Sequence, residues 1–427
     1  MTSDQHYFRL GRVEKSFSAT PEPGDSAQQI LAWLAAVLQA EHLNLLVGSG
    51  FTRAIAGLAD VGAAGMEPVA FNPDGSDRVD VVAEESAKRL GREKMNLEDQ
   101  LRVALQLLAG LEVEDPARAD EWRDAISETL EGLANQVLET ERELRGPLEA
   151  DSGKGAEARG ALIRFLLAFA HRTATRERLH VFTTNYDRLV EHGCDLAGLR
   201  CLDRFVGALE PVFRASRLDV DLHYSPPGMR GEPRYLEGVL RLSKLHGSLD
   251  WRTAEAGVKR VGLPFGADEN HPWAPDNPLD SLLIYPNAAK DVETLEYPYA
   301  ELFRDGAAAL CRPNTALITY GYGFGDDHVN RVIADMLTIP STHLVVISYD
   351  WAGGRLTRFL EDVGHAAQTT LLIGSHFGDL RTLTENYLPA QSLERLTARQ
   401  AEWWEQHPRR DAETNPVHIE ADDQPTH

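Results

Sequence analysis

The chain has 427 residues, of which 43 are Lys or Arg and 66 are Asp or Glu, so its formal net charge is −23. This balance repels phosphate backbones unless positive charge is locally concentrated, and we therefore expect no direct nucleic-acid binding. No apolar run approaches the roughly 20 residues that span a bilayer, and the N-terminal residues lack the pattern of a secretory signal. We therefore expect a soluble, cytoplasmic protein without membrane association.

The cysteines indicate neither a disulfide framework nor a metal site. Cys194, Cys201 and Cys311 are few and scattered, and no C-x-x-C pair is present. We therefore expect no zinc and no other metal.

The first part of the chain predicts an arm, one buried strand and a glycine turn. Residues 1–27 are expected to form an N-terminal arm with an edge strand, and a helix is predicted from Ser26, which makes a capping-box pattern with Gln29. The apolar run Leu43–Val47 predicts a buried strand that ends at a glycine turn and leads into a helix. Residues 57–80 are rich in Gly, Ala, Pro and Asp, which is typical of a mobile loop over a site.

A helical insertion is predicted over about residues 86–176. Asn96 is placed to cap a helix from Leu97, and apolar residues then recur at helical spacing to Gly146. Such stripes are more typical of core packing than of cofactor contact. The insertion is also our candidate for an assembly surface, with ordinary packing on the sheet as the alternative.

Short β-runs alternate with helices in the rest of the chain, which is typical of a parallel sheet with crossover helices. The β-runs are Leu179–Thr183, Val239–Leu245, Ser281–Tyr285, Thr315–Tyr320, His343–Ser348 and Thr369–Ile373. Helices are predicted after Asp187, around Glu301–Leu310, after Asp326, around Arg355–Val363 and after Gly378. We therefore predict an α/β domain over residues 28–389, followed in residues 390–427 by a C-terminal helix and a disordered acidic tail.

Two motifs lie where predicted strands turn into helices. Val47–Thr52 reads VGSGFT, in which glycines let a phosphate approach the backbone and the helix N-terminus attracts its charge. Purely steric glycine turns are a common alternative. His180–Glu191 contains Thr184, Asn185 and Asp187 at the end of a strand, where α/β sheets bind ligands, although Asp187 also suits a simple helix cap.

Two further motifs follow the same pattern. Arg241–Trp251 carries His246 at a strand end, where the imidazole is a usable base near neutral pH, although a single histidine is often structural. Leu317–Asn330 reads LITYGYGFGDDHVN, which predicts a strand, a turn that permits close approach, and a helix capped by Asp326 or Asp327.

In their order and spacing these motifs resemble the sirtuin superfamily, and they resemble the bacterial sirtuin-like NADases of antiphage systems more closely than the protein deacylases. VGSGFT is similar to the family's first glycine motif, TTNYD to its Thr-Gln-Asn-Ile-Asp motif, and KLHGS to its His-Gly motif. The resemblance covers about residues 40–385. It implies a Rossmann-like parallel sheet of the sirtuin type, here with a sizeable helical insertion.

The resemblance also implies roles for individual residues. Asn185, His246 and Asp187 would be catalytic: Asn185 and Asp187 would border the nicotinamide ribose of NAD⁺, and His246 would act on that ribose as base or orienter. The cofactor-binding positions would be Gly48, Ser49, Gly50, Phe51, Thr52, Thr184, Gly247, Ser248, Gly321, Tyr322 and Gly323. Thr184 and Tyr186 depart from the family's Gln and Ile, and the deacylases' Pro-Asp-Phe-Arg segment and four-cysteine zinc module are absent, which argues against lysine deacylation.

The implied activity is hydrolysis of the nicotinamide–ribose bond of NAD⁺ to ADP-ribose and nicotinamide, which would deplete NAD⁺ in antiphage defence. Such an enzyme must be held inactive until triggered, and the resemblance implies a homo-oligomer and a HerA-type hexameric ATPase as partner. Three alternatives stay open. The chain could be a deacylase or ADP-ribosyltransferase, a non-catalytic NAD-binding scaffold subunit, or a nuclease subunit with a local basic groove.

Overall fold

The structure is a computed structural model. It describes residues 6–11, 13–17, 25–89, 94–173, 175–215, 221–224, 234–255, 257–275, 282–284 and 297–389. The predicted C-terminal helix and acidic tail of residues 390–427 lie outside the described residues. No helix in these ranges is both long enough and apolar enough to cross a membrane.

The strands of the described part are β1 His6–Leu10, β2 Val13–Phe17, β3 His42–Val47, β4 His180–Thr183, β5 Arg200–Leu202, β6 Phe205–Val206, β7 Val212–Phe213, β8 His223–Tyr224, β9 Arg234–Tyr235, β10 Val239–Lys244, β11 Gly247–Ala254, β12 Gly257–Arg260, β13 Leu282–Ile284, β14 Thr315–Tyr320, β15 His343–Ser348 and β16 Thr369–Ile373. Its helices are α1 Asp25–Val37, α2 Ser49–Ala59, α3 Ser76–Arg89, α4 Leu97–Glu114, α5 Pro116–Glu149, α6 Gly153–Ala170, α7 Leu189–Ala197, α8 Tyr299–Leu310, α9 Asp327–Leu337, α10 Arg355–Val363, α11 Ser375–Gly378 and α12 Leu380–Asn386.

The main sheet has nine strands in the order β2-β1-β16-β15-β14-β3-β4-β10-β5. The seven strands from β16 to β5 are parallel, and β1 and β2 add an antiparallel edge. Strands β4, β14 and β16 are buried along their whole length, as expected for strands covered on both faces. The predicted α/β fold with a Rossmann-like parallel sheet is confirmed.

Helices cover both faces of this sheet. On one face, Leu317 and Val346 pack against residues of α8, α9 and α10. On the other face, Tyr320 contacts Phe165 of α6, with ring centroids 5.2 Å apart. Alternate residues of β14 therefore pack into two separate layers, which explains why all six residues of this strand are buried.

The strand order reverses between β3 and β14. From β3 the chain adds β4 and then β10 on one side, and it returns to place β14, β15 and β16 on the other side. Ligands of open α/β sheets bind at such a switch point, outside the carboxyl ends of the strands. The turns that follow Val47 and Tyr320 meet at this point.

A second sheet, which the sequence did not predict, contains β13-β11-β12-β7-β6 and is antiparallel. The β-run Ser281–Tyr285 was predicted as part of the parallel series, but its described residues form β13, which pairs with β11 in this smaller sheet. Periodicity identifies a short apolar strand without identifying the sheet that it joins.

The predicted insertion of about residues 86–176 contains the end of α3 and all of α4, α5 and α6. Helix α3 begins at Ser76, so the loop predicted over residues 57–80 is shortened at both ends by α2 and α3. Asn96 caps α4 through a capping box with Asp99. Helix α1 begins at Asp25, so the capping box predicted at Ser26 does not form, and the Ser26 hydroxyl accepts a hydrogen bond from Lys15 instead.

Candidate functional site

A pocket of about 290 Å³ lies at the switch point of the sheet. It is bordered by the turns after β3, β4 and β14, by His246 between β10 and β11, and by the insertion helix α5. Nine of the predicted site residues line it, namely Gly48, Ser49, Thr52, Thr184, Asn185, Asp187, His246, Tyr322 and Gly323. The chain therefore brings Asn185 and His246, which are 61 positions apart, into one cavity.

The amide of Asn185 is held in a fixed orientation. Its Nδ2 donates to the carbonyl oxygen of Gly48 at 3.0 Å and to Oγ1 of Thr52 at 3.1 Å. The Thr52 hydroxyl in turn donates to Oδ2 of Asp187 at 2.7 Å. With both amide hydrogens engaged, Oδ1 of Asn185 is the atom with which this side chain can accept a hydrogen bond from a ligand.

Asp187 accepts a hydrogen bond from Thr52 and also organises the local backbone. Its Oδ1 accepts from the backbone N–H of Leu189 at 3.1 Å, at the start of α7. Arg188, not Asp187, is the N-cap residue of α7, and it makes no side-chain cap bond. Asp187 lies one position earlier, where one oxygen accepts from Leu189 and the other from Thr52.

His246 pairs with a carboxylate from the fourth motif. Its Nε2 lies 2.6 Å from Oδ2 of Asp326, and both side chains are buried. Oδ1 of Asp326 accepts from the backbone N–H groups of His328 and Val329, so the same residue caps α9. A carboxylate partner on Nε2 favours the tautomer in which Nδ1 is the basic nitrogen.

The glycine turns contact each other more closely than any side chain would allow. A Cβ on Gly50 would lie 2.6 Å from Cα of Gly321, and Gly321 has φ +62°. The N–H of Gly50 donates to the carbonyl oxygen of Gly321, that of Gly48 to Tyr320, and that of Phe51 to Gly48. The glycines thus permit two chain segments to approach, and these three amides already have protein partners.

Several predicted cofactor-binding residues lie outside the pocket lining. Gly50 and Gly321 form the contact beneath it, and the Phe51 ring is fully buried against Phe165. Gly247 and Ser248 begin β11, where Ser248 has no exposed surface. Ser49, at the N-terminus of α2, lines the pocket and is exposed.

The pocket also contains residues that the sequence analysis missed. Exposed Arg53 and half-buried Arg355 place two positive charges at the cavity, and Arg355 donates from Nε to the carbonyl oxygen of Gly323. Leu133 and Val137 of α5 line it as well. Arg53 directly follows the first motif and could have been noticed, whereas nothing in the sequence links Arg355 or α5 to this cavity.

These residues fit NAD⁺. Arg53, Arg355 and Ser49 suit a pyrophosphate, since guanidinium groups and helix N-termini are the usual partners of phosphate oxygens. The Tyr186 hydroxyl is buried at the pocket without a hydrogen-bond partner among the described residues. Burial raises the pKa of Tyr186 well above its usual value, so this hydroxyl stays protonated and can donate to a ribose oxygen.

The fold and the pocket define a Rossmann-like α/β protein with a pocket at the switch point of its sheet. Within this chain, residues 179–367 match the family model of the SIR2-like domain. The match includes Asn185, His246 and Asp326 but not the glycine turn of residues 48–50. It supports a sirtuin-like relationship and an NAD-related activity, because SIR2-like domains bind NAD⁺. No curated protein matches the chain.

Proposed function

We propose that the protein hydrolyses NAD⁺ at the nicotinamide–ribose bond, giving ADP-ribose and nicotinamide. One observation carries the proposal: the anchored amide of Asn185 and the carboxylate-paired imidazole of His246 line the same pocket. The Asn185 amide oxygen can accept a hydrogen bond from a nucleophile or a ribose hydroxyl, and the imidazole of His246 can accept its proton.

Nicotinamide is a cationic leaving group, so its departure requires mainly stabilisation of an oxocarbenium-like ribosyl cation and a positioned nucleophile. Water is the simplest nucleophile. Oδ1 of Asn185 orients that water or a ribose hydroxyl, while His246 accepts the proton through Nδ1. Asp187 supports Asn185 through Thr52, and Asp326 stabilises the imidazolium that forms.

The first test is incubation of the purified chain with NAD⁺ alone, followed by chromatography of the products. A hydrolase forms ADP-ribose and nicotinamide without any peptide. A deacylase or ADP-ribosyltransferase needs an acceptor, and a scaffold subunit binds NAD⁺ without turnover. Formation of ADP-ribose only when a peptide is added would contradict the proposal.

Variants of the two central residues make the test specific. His246→Ala is expected to lower kcat by about 10²- to 10⁴-fold, which is the usual contribution of a general base. Asn185→Ala is expected to abolish cleavage while calorimetry still detects NAD⁺ binding, because the pyrophosphate contacts lie elsewhere. A His246→Ala protein with wild-type NAD⁺ consumption would remove this residue from the chemistry.

The proposal includes a biological setting, in which depletion of NAD⁺ by an activated homo-oligomer with a HerA-type ATPase limits phage infection. The motif resemblance and the need to restrain such an activity in the host support this setting. Product chromatography with and without the ATPase tests it. Equal turnover in both samples, together with separate elution in size-exclusion chromatography, would contradict the partnership.

A further inference from the structure

A second and larger cavity, of about 610 Å³, lies between the edge of the main sheet and the antiparallel sheet. Helix α7 and strands β5 and β10 form one side of it, and Asp250 and Trp251 of β11 form part of the other. None of its lining residues lines the pocket that contains Asn185. It is therefore separate from the proposed catalytic site.

The buried cations around this cavity already have carboxylate partners. Arg188 pairs with Glu141, Arg204 with Asp305, and Lys244 with Glu191. Half-buried Arg260 pairs with Asp203. Arg200 and Asp195 are exposed where the cavity meets solvent.

Asp250 is different, because its carboxylate has no ion pair or hydrogen bond with the described residues. Only 8% of the residue is exposed, and Oδ1 is completely buried without a partner. Oε2 of Glu191, also on the cavity, is buried and unpartnered as well. A buried carboxylate oxygen without a donor is costly, by about 1–3 kcal/mol or more, so such atoms normally have a partner.

We propose that this cavity binds a small organic cation whose N–H groups donate to Asp250 and Glu191. The missing partners of these two carboxylates are donors, so a guanidinium or primary ammonium group is the complementary chemistry. The apolar side chains Trp251, Phe205 and Leu242 line the same cavity and can contact a carbon chain. Among the described residues, no group of three His, Cys, Asp or Glu side chains could hold a metal ion.

Lys244 connects this cavity to the catalytic segment. Its ammonium group donates to the carbonyl oxygens of Tyr186 and Asp187 and pairs with Glu191 at 3.2 Å. A ligand that engages Glu191 competes with Lys244, so we expect occupancy to change NAD⁺ turnover. This consequence rests on the proposed function, whereas binding itself does not.

Calorimetric titration with agmatine, which carries a guanidinium and an ammonium group, tests the site. We expect one agmatine per chain for the wild type and at least tenfold weaker binding for Asp250→Asn. The matched control Asp120→Asn removes an equal charge from an exposed position on α5 and should change affinity by less than twofold. No binding to the wild type, or equal binding to Asp250→Asn, overturns the proposal.

Two further measurements keep the test decisive if Asp250→Asn does not fold. Butylguanidinium and its neutral analogue butylurea are titrated into the wild type, and charge recognition requires the urea to bind at least tenfold more weakly. Leu202→Trp places a larger ring on the cavity wall and should abolish agmatine binding. Equal affinity for the two butyl compounds, or unchanged binding in Leu202→Trp, contradicts the site.

Agmatine that binds in calorimetry but leaves NAD⁺ turnover unchanged contradicts only the coupling through Lys244.

Discussion

The two oxygens of Asp326 have different partners, and the Asp326→Asn variant separates their roles. Oδ1 caps α9, and an Asn amide oxygen can continue to accept those backbone N–H groups. Oδ2 faces Nε2 of His246, and an amide nitrogen there can only donate, which forces the other tautomer on the ring. Steady-state kinetics should show kcat lowered by about 10²- to 10⁴-fold.

The thermal midpoint and the KM for NAD⁺ distinguish this positioning role from a merely structural one, in which activity would be lost together with stability. Because the cap is retained, the thermal midpoint of Asp326→Asn should stay near the wild-type value and KM for NAD⁺ should change little. Asp326→Ala, which also removes the cap, is the comparison and should unfold earlier. Wild-type kcat in the Asn variant would mean that His246 does not depend on this carboxylate.

Thr52 joins Asp187 to Asn185, so the Thr52→Val variant removes the connection at nearly constant volume. The change leaves Nδ2 of Asn185 and Oδ2 of Asp187 each without one hydrogen bond. We expect kcat to fall roughly tenfold, equivalent to about 1.4 kcal/mol of positioning energy, with a smaller effect on KM. Thr52→Ser restores the hydroxyl and should recover most of the activity. Equal kcat values for the Val and Ser variants would contradict the role of this hydroxyl.

At the scale of single residues, the sequence identified the site residues that lie at strand ends, but it did not identify which of them contact each other in the fold. Asn185 and His246 were predicted because each follows an apolar run at the end where parallel strands bind ligands. Asp326 or Asp327 was predicted as the helix cap, and Asp326 is the cap. Its pairing with His246, 80 residues away, depends on the order of the strands, which periodicity cannot give.

At the scale of elements, the turns after β3 and β14 fit together only because both contain glycine. Gly50→Ala would place a methyl group 2.6 Å from Cα of Gly321, where only backbone could move. We expect a loss of about 1–3 kcal/mol in unfolding free energy, as for other overpacked sites. Urea denaturation measures this change.

Gly57 provides the matched control on the same helix. A Cβ at Gly57 has nothing within 4 Å, so Gly57→Ala should be neutral or stabilise by about 0.5–1 kcal/mol. If both variants lose similar stability, the cause is not the contact between the turns.

Elements buried on both faces were predicted best. The bounds of β14, β15 and β16 agree with the sequence prediction because their apolar runs stop where the chain leaves the sheet. The antiparallel sheet was missed because β6 and β7 have two residues each and their pairing depends on distant partners. Such short strands carry too little periodicity to be recognised.

At the scale of the whole molecule, the insertion belongs to the site as well as to the core. Its helices share a cluster of buried residues with Tyr186 and Leu249, and α5 contributes Leu133 and Val137 to the pocket wall. Buried Arg188, which directly follows the TTNYD motif, pairs with Glu141 of α5. The insertion and this motif should therefore unfold together.

The stability of the whole fold should depend on the neutral state of His180. This histidine is buried in β4, where its Nε2 contacts the Ser243 hydroxyl of β10 at 2.9 Å. Burial, together with the positive charges of Arg241 and Arg204, lowers the pKa of His180 to about 3 from its ordinary 6.5. The unfolded chain therefore binds one more proton than the folded chain between these two values, so His180 favours unfolding increasingly as pH falls below 6.5.

The expected slope of this contribution is about 1.4 kcal/mol of unfolding free energy per pH unit, from one proton. Urea denaturation of wild type and His180→Gln from pH 4 to 7 isolates it, because other titrating groups contribute equally to both proteins. The variant should show the shallower dependence on pH, by about that slope. Ser243→Ala removes the hydrogen bond but keeps the histidine, so its curve should shift downward in parallel with the wild type. Parallel curves for wild type and His180→Gln would mean that His180 is protonated to the same degree in the folded and unfolded chains.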